Sequence, residues 1–314
     1  MNKKNNMKEL KGLGTALITP FQADGSVDYD ALARLLDTQL TGFVDYLVVL
    51  GTTGEAATMT ADEKREVRQF IVNYVGQCTM HNAQCTMHNA QCTIPLVLGV
   101  GGNNTAAVCA ELAAMREELV RDYAAVLSVC PYYNKPNQEG LFRHFCQVTE
   151  ASPIPVLLYN VPGRTGVNLL PETVMRIYEA HPDKIMGIKE ASGNVAQIKD
   201  LISRKSKVER EKPFLVISGD DGIACEVMEA GGAGLISVAS NAFPEDFRHI
   251  VHDKDAALQA KYSEMVRLLF AEGNPVGIKA VLAQKGIIQN YLRLPLVPAS
   301  KELNAQIQEE LKKV

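Results

Sequence analysis

From residue 14 onward the chain repeats one pattern: a short run of Val, Ile and Leu, then a longer stretch whose apolar residues recur at helical spacing. The short runs fall at 15–19, 46–50, 96–100, 124–129, 156–159, 185–189, 214–218 and 234–238. Each is too short for an ordinary helix and has no polar face, as a strand covered on both sides requires. Between them, Leu32, Leu35, Leu36 and Leu40 mark one helical stripe; Val67, Phe70, Ile71 and Tyr74 mark a second, and Val108, Leu112, Met115 and Leu119 a third. Asp28 stands where an N-cap belongs, and Pro171-Glu172 opens a later helix. Strands alternating with helices pair in parallel. Eight such units fit a closed (β/α)8 TIM barrel, an α/β fold of about 250 residues, better than an open doubly wound sheet with the same periodicity. Helical patterns continue at 244–253, 257–271, 275–284 and 301–312. The expected division is a barrel domain over 1–252 and a helical C-terminal domain over 253–314.

Charge and cysteine usage narrow the class. Across 314 residues, 32 Lys and Arg face 36 Asp and Glu for a net charge of −4, without any basic block. That excludes the clustered positive footprint of a nucleic-acid reader. No apolar run approaches the ~20 residues that span a bilayer, and the first residues lack the apolar core of a secretory signal, so no membrane role and a cytoplasmic location are expected. The seven cysteines, at 78, 85, 92, 109, 130, 146 and 225, are odd in number and mostly irregular in spacing, which predicts reduced thiols. Residues 78–84 (Cys-Thr-Met-His-Asn-Ala-Gln) recur at once as 85–91. Two copies of seven residues are too few and too short for a solenoid; the C-x2-H-x3-C spacing is one that can hold a soft metal, but the segment reads first as a surface loop lengthened by duplication between a helix and the third strand. No set of His, Asp and Glu keeps metal-ligand spacing, so no metal is expected.

In barrels of this kind chemistry gathers where strands end and the following loops begin. The second strand runs into Gly-Thr-Thr-Gly-Glu (51–55), and the fourth is followed by Pro-Tyr-Tyr-Asn-Lys-Pro (131–136). The fifth leads into Tyr-Asn-Val-Pro-Gly-Arg-Thr-Gly (159–166), and the sixth ends Gly-Ile-Lys-Glu (187–190). Lys189, closing an apolar run, is either a snorkelling surface lysine paired with a neighbouring acid such as Glu190 or a buried amine. Burial favours the neutral form that attacks a carbonyl. Thr52 and Thr53 between glycines form either a plain turn or a small-anion cradle, and the missing Lys-Ser/Thr excludes a P-loop. Arg164 offers either a surface charge or a bidentate carboxylate clamp. Tyr133 and Tyr159 are either packing aromatics or proton carriers beside the lysine. His144, His181, His249 and His252 fall within or at the ends of helices and receive no role.

These four motifs, in this order on successive strands, resemble the dihydrodipicolinate synthase / N-acetylneuraminate lyase family of pyruvate-dependent class I aldolases. The likeness runs from about Gly12 to about Pro298. It is closer to the synthase branch, because the lyases read Gly-Ser-Thr-Gly at the first motif and lack the Arg-Thr-Gly ending of the third. The resemblance implies a lyase of lysine biosynthesis that joins pyruvate, held on Lys189 as an imine, to L-aspartate 4-semialdehyde. Position by position, it implies that Thr52 shuttles protons between Tyr133 and Tyr159 and that Tyr159 serves the imine-forming steps. It further implies that Thr53 holds the pyruvate carboxylate, that Arg164 holds that of the semialdehyde, and that Gly219 and Ile236 give backbone contacts around pyruvate. No cofactor is implied beyond the covalent imine. Tyr133 is expected to enter a neighbouring subunit's site, in a homodimer paired into a tetramer.

The family's lysine-binding feedback site matches at Asn103 and Tyr132 only. Ala107 stands where lysine-sensitive members carry glutamate, and Ala61 and Lys64 where histidines are frequent. An ammonium buried there lacks its acidic partner, which predicts weak or absent inhibition by lysine. Two other readings share these residues: a retro-aldol lyase of a longer 2-oxo acid using Lys189 and Tyr159, and a catalytically silent barrel that binds a metabolite.

Overall fold

A computed structural model describes residues 10–81, 94–206 and 214–314. Its strands are β1 (Gly12–Ala16), β2 (Tyr46–Val49), β3 (Leu96–Gly99), β4 (Ala125–Val129), β5 (Val156–Asn160), β6 (Ile185–Glu190), β7 (Leu215–Ser218) and β8 (Gly234–Ser237). They follow one another in sequence order around a closed parallel barrel, the TIM-barrel architecture expected from the periodicity. Among the described residues no helix is long and apolar enough to cross a membrane. By internal packing the chain forms two compact units, one of residues 1–12 and 95–235, the other of residues 13–94 and 236–314.

In the first unit, β5 to β7 lie against the helices Gln138–Ala151, Pro171–Ala180 and Val195–Lys205. Leu158 and Ile188 on the strands pack with Leu141, Phe145, Val174, Ile198 and Leu201 on those helices, all fully buried. Strand side chains alternate, so residues flanking Leu158 and Ile188 point away from this layer. Two of the helices begin on the residues the sequence supplies for it: Asn137 accepts the Gly140 N–H at 2.9 Å, and Pro171 occupies the first turn of its helix. Cys130 lies buried in the same core, and burial holds its thiol well above the usual range.

In the second unit the helix Tyr29–Thr41 starts at Asp28, whose carboxylate accepts the Ala31 N–H at 2.9 Å. β1 occupies Gly12–Ala16 rather than 15–19. Pairing with β2 begins at Gly14↔Tyr46, and the Tyr46 ring fills the space over Gly14, where a Cβ would lie 2.1 Å from a ring carbon. Glycine is a poor strand former by propensity, but the absent side chain is what admits the tyrosine. Ser240 and Asn241, at the end of the eighth apolar run, turn out to be structural: the Asn241 amide donates to Ala16 O at 2.8 Å and accepts the Ile18 N–H at 3.1 Å, and Ser240 meets Thr15 at 2.8 Å.

The helical pattern at 257–271 is two helices, Ala256–Lys261 and Ser263–Phe270. Tyr262 between them is 1% exposed, its ring edge-on to Phe243 and Phe247 and its hydroxyl bonded to Asp246. The helix bends where this large side chain turns inward. The helix Ala61–His81 carries the chain into the first copy of the seven-residue duplication. The rest of that duplication lies outside the described residues.

His144 supplies a pH test of the first unit. It is 4% exposed, meets Thr105 through Nδ1 at 2.9 Å, and its Nε2 has no hydrogen-bond partner among the described residues. Burial lowers its pKa from 6.5 to about 4. The unfolded chain therefore takes up a proton here before the folded one, and stability falls as pH drops from about 6.5 towards 4. Urea unfolding across that range is expected to show this acid limb, and His144→Gln to flatten it by up to about one proton.

Candidate active site

Lys189 and Tyr159 sit directly opposite one another on neighbouring strands of the first unit. That juxtaposition depends on an irregularity. Val156 pairs with Ile185, but Leu157 pairs with Gly187, so Met186 is an extra residue in β6. With regular pairing Tyr159 would face Ile188, whose side chain belongs to the helix layer. The one-residue bulge exchanges the faces and sets phenol beside amine. Gly187 permits the close approach to β7, since a Cβ there would lie 2.1 Å from Leu215 O.

The Lys189 side chain is 5% exposed, and its Nζ lies 4.6 Å from the centroid of the Tyr159 ring. Among the described residues it forms no ion pair. The alternative in which it pairs with Glu190 fails for a geometric reason: successive strand residues point to opposite faces. The Glu190 carboxylate accepts instead from Asn160 at 2.9 Å, Gln197 at 3.1 Å and the Ser192 N–H at 2.8 Å. Asn160 also donates to Asn168 at 2.7 Å and accepts the Leu169 N–H at 2.9 Å. This buried network ties the ends of β5 and β6 together behind Lys189 and Tyr159. It was missed in the sequence, although the doublets Tyr159-Asn160 and Lys189-Glu190 carry its signature, a polar residue on each face at a strand end.

Gly219, expected to contribute backbone, has a steric role: a Cβ there would stand 2.8 Å from Lys189 Cε and 3.1 Å from its Cγ. Arg164 is exposed on the helical turn Pro162–Thr165, closed by Gly166 at φ +73°. Tyr133 is 87% exposed at φ +74°, its N–H directed at Thr165 O at 3.4 Å, which links its loop to the Arg164 turn. Tyr132 is 42% exposed, and Asn134 donates to Asn103 O at 3.0 Å, joining the loops that carry Asn103 and Tyr132. Ala107 is exposed.

In the second unit, Gly51-Thr52-Thr53-Gly54 forms a tight turn after β2, with the Gly54 N–H on Gly51 O at 3.0 Å. Thr52 is exposed and Thr53 is 3% exposed. Ile236 is fully buried on β8. The turn ends at Glu55, a buried non-glycine residue at φ +53°, a conformation that persists only when its surroundings fix it. They do so through groups far along the chain. Glu55 is ion-paired with Lys279, whose Nζ also donates to Tyr291 O at 3.0 Å and lies 4.2 Å from the Phe21 ring centroid. Arg293 donates to Thr58 O and to Glu63, each at 3.0 Å, and Asn274 donates to the Thr53 hydroxyl at 2.9 Å. Burial draws the Lys279 pKa down to about 8, against the opposing pull of Glu55.

Residues 9–314 match the dihydrodipicolinate synthetase family. A 4-hydroxy-tetrahydrodipicolinate synthase of Parabacteroides distasonis is 44% identical over 312 residues, covering 97% of each chain. Among solved structures, a monomeric dihydrodipicolinate synthase variant superposes with a TM-score of 0.86 at 37% identity, over 98% of this chain and 97% of that one. The chloride-inhibited dihydrodipicolinate synthase of Acinetobacter baumannii, complexed with pyruvate, gives 0.84 at 34% identity, over 97% and 98%.

Two substitutions test the geometry. Gly219→Ala drives a methyl group against the Ala191 Cβ at 2.6 Å and into the Lys189 stem, and a displacement of that size is expected to slow reaction at the amine on the order of a hundredfold and to lower the melting temperature as well. Lys279→Met leaves Glu55 buried without its counter-charge, and chemical denaturation is expected to register a loss of about 3–5 kcal/mol, partly recovered by adding Glu55→Gln.

Proposed function

This chain belongs to the dihydrodipicolinate synthetase family, and we propose that it catalyses the lyase reaction that joins pyruvate to L-aspartate 4-semialdehyde on the diaminopimelate route to lysine. The observation that carries this reading is the buried Lys189 amine, without an ion-pair partner among the described residues and set beside Tyr159. A lysine held in that state is a nucleophile for a 2-oxo acid. Its Nζ adds to the pyruvate carbonyl carbon, and loss of water leaves an imine. Once protonated, the imine acidifies the pyruvate methyl group. The resulting enamine attacks the aldehyde carbon of the semialdehyde, and ring closure by the substrate's amino group frees the lysine.

The remaining roles follow from the family resemblance. Tyr159 exchanges protons with the imine-forming centre. Thr52 passes protons between Tyr159 and Tyr133. Thr53 binds the pyruvate carboxylate and Arg164 that of the semialdehyde, for which its exposure on a short turn after β5 suits it. Gly219 and Ile236 line the bound pyruvate, and the covalent imine takes the place of a cofactor. The exposed Tyr133 serves a second copy of the chain, so the working form is a homodimer, assembled further into a tetramer. Asn103 and Tyr132 belong to a lysine-binding surface that, without an acid at Ala107, responds weakly to lysine.

Borohydride treatment with pyruvate is expected to leave a reduced pyruvate adduct on Lys189, read by peptide mass spectrometry and absent from Lys189→Ala. An adduct elsewhere, or none, removes the basis of the reading. The shared site has its own test. Lys189→Ala and Tyr133→Phe are each expected to be nearly inactive, yet mixing and reassembly should restore activity, because a mixed dimer contains one site with both groups intact.

A further inference from the structure

The hydroxyl of Thr53 is buried, and the Asn274 amide nitrogen donates to its oxygen at 2.9 Å. Asn274 lies 221 positions further along the chain and is itself 8% exposed. An amide N–H donates only, so in this bond the threonine oxygen is the acceptor. The hydroxyl hydrogen is then left over for another group. A threonine hydroxyl alone is indifferent, able to rotate to donate or to accept. One whose oxygen is already engaged by a buried amide faces a ligand as a donor, and its polarity is enhanced by the bond it receives.

We propose that Asn274 is a positioning residue that fixes the Thr53 hydroxyl as a hydrogen-bond donor and so favours an acceptor, a carboxylate oxygen, over a donor group at that point. This rests on the reading above, in which Thr53 binds the pyruvate carboxylate. The surroundings hold the asparagine to its task. Lys279, one turn into the following helix Val276–Gln284, is clamped to Glu55 and to Tyr291 O, so Thr53 and Glu55 are both anchored to the same late segment. Thr19 closes the turn from the other side by donating to Gly54 O at 2.8 Å.

The test turns on polarity rather than on loss of a side chain. Asn274→Asp presents a carboxylate that accepts from Thr53 and draws its hydrogen away from the substrate. Asn274→Ala removes the amide and leaves the hydroxyl free to rotate. Half-saturation for pyruvate, measured by borohydride trapping on Lys189, is expected to rise about threefold to tenfold in the alanine variant and by about a hundredfold in the aspartate variant, as for loss and reversal of a charge-assisted hydrogen bond. The KM for aspartate semialdehyde should stay within about twofold in both. Adding Thr53→Val should erase the difference between the two variants. Should the aspartate variant not fold, as judged by circular dichroism, the alanine variant decides: the proposal requires its rise in half-saturation to vanish in the Thr53→Val background. Equal pyruvate half-saturation in wild type and a folded variant overturns the proposal and leaves the imine chemistry standing. Absence of any adduct in the wild-type protein overturns the reaction reading, and this inference with it.

Discussion

The pairing of β5 with β6 governs what the first unit can do. A strand displays its side chains on two faces, and its register with a neighbour decides which residues meet. One extra residue at Met186 brings Lys189 level with Tyr159 and, one step on, Asn160 level with Glu190. The first pair faces away from the helices and the second faces into them. The Lys189 amine can then lie buried apart from the carboxylate next in sequence, because Glu190 is held on the reverse side by three donors. Acid and amine are one peptide unit apart yet kept from neutralising each other.

The second unit meets a different demand. Its glycine-rich turn is held in one conformation, although such turns lose much conformational freedom when ordered. Here the order comes from long-range polar anchors. Asn274 engages Thr53 and Lys279 engages Glu55, while Arg293 holds the chain immediately beyond. Glu55 retains a left-handed backbone conformation as part of this arrangement.

Much of this was legible in the sequence. Seven of the eight apolar runs are strands within a residue or so of the expected limits, since doubly buried strands leave no other pattern. Lys189 stood out because a cation ending such a run is costly unless it has a use. The first strand was placed too late because Gly12 and Gly14 look unlike strand residues until the Tyr46 ring over Gly14 is seen. The Met186 bulge leaves no local mark, as it is a relation between two strands. Asn274, Lys279 and Arg293 were invisible for the same reason: they act on residues more than 200 positions away, and nothing in a helix-like stretch distinguishes a lysine facing solvent from one with 0% exposure. The crowding of Gly219 against Lys189 likewise emerges only in three dimensions.

The position of Asn274 and Lys279 in the chain has a consequence for biosynthesis. Both are translated after β8, so a nascent polypeptide that has just completed its last strand already contains Lys189, Tyr159, Thr52 and Thr53. Its glycine turn still lacks the amide that donates to the Thr53 hydroxyl and the cation paired with Glu55. The turn is therefore the last of these elements to receive its anchors: both strands of the β5–β6 pair have left the ribosome well before the segment that holds the turn has been made.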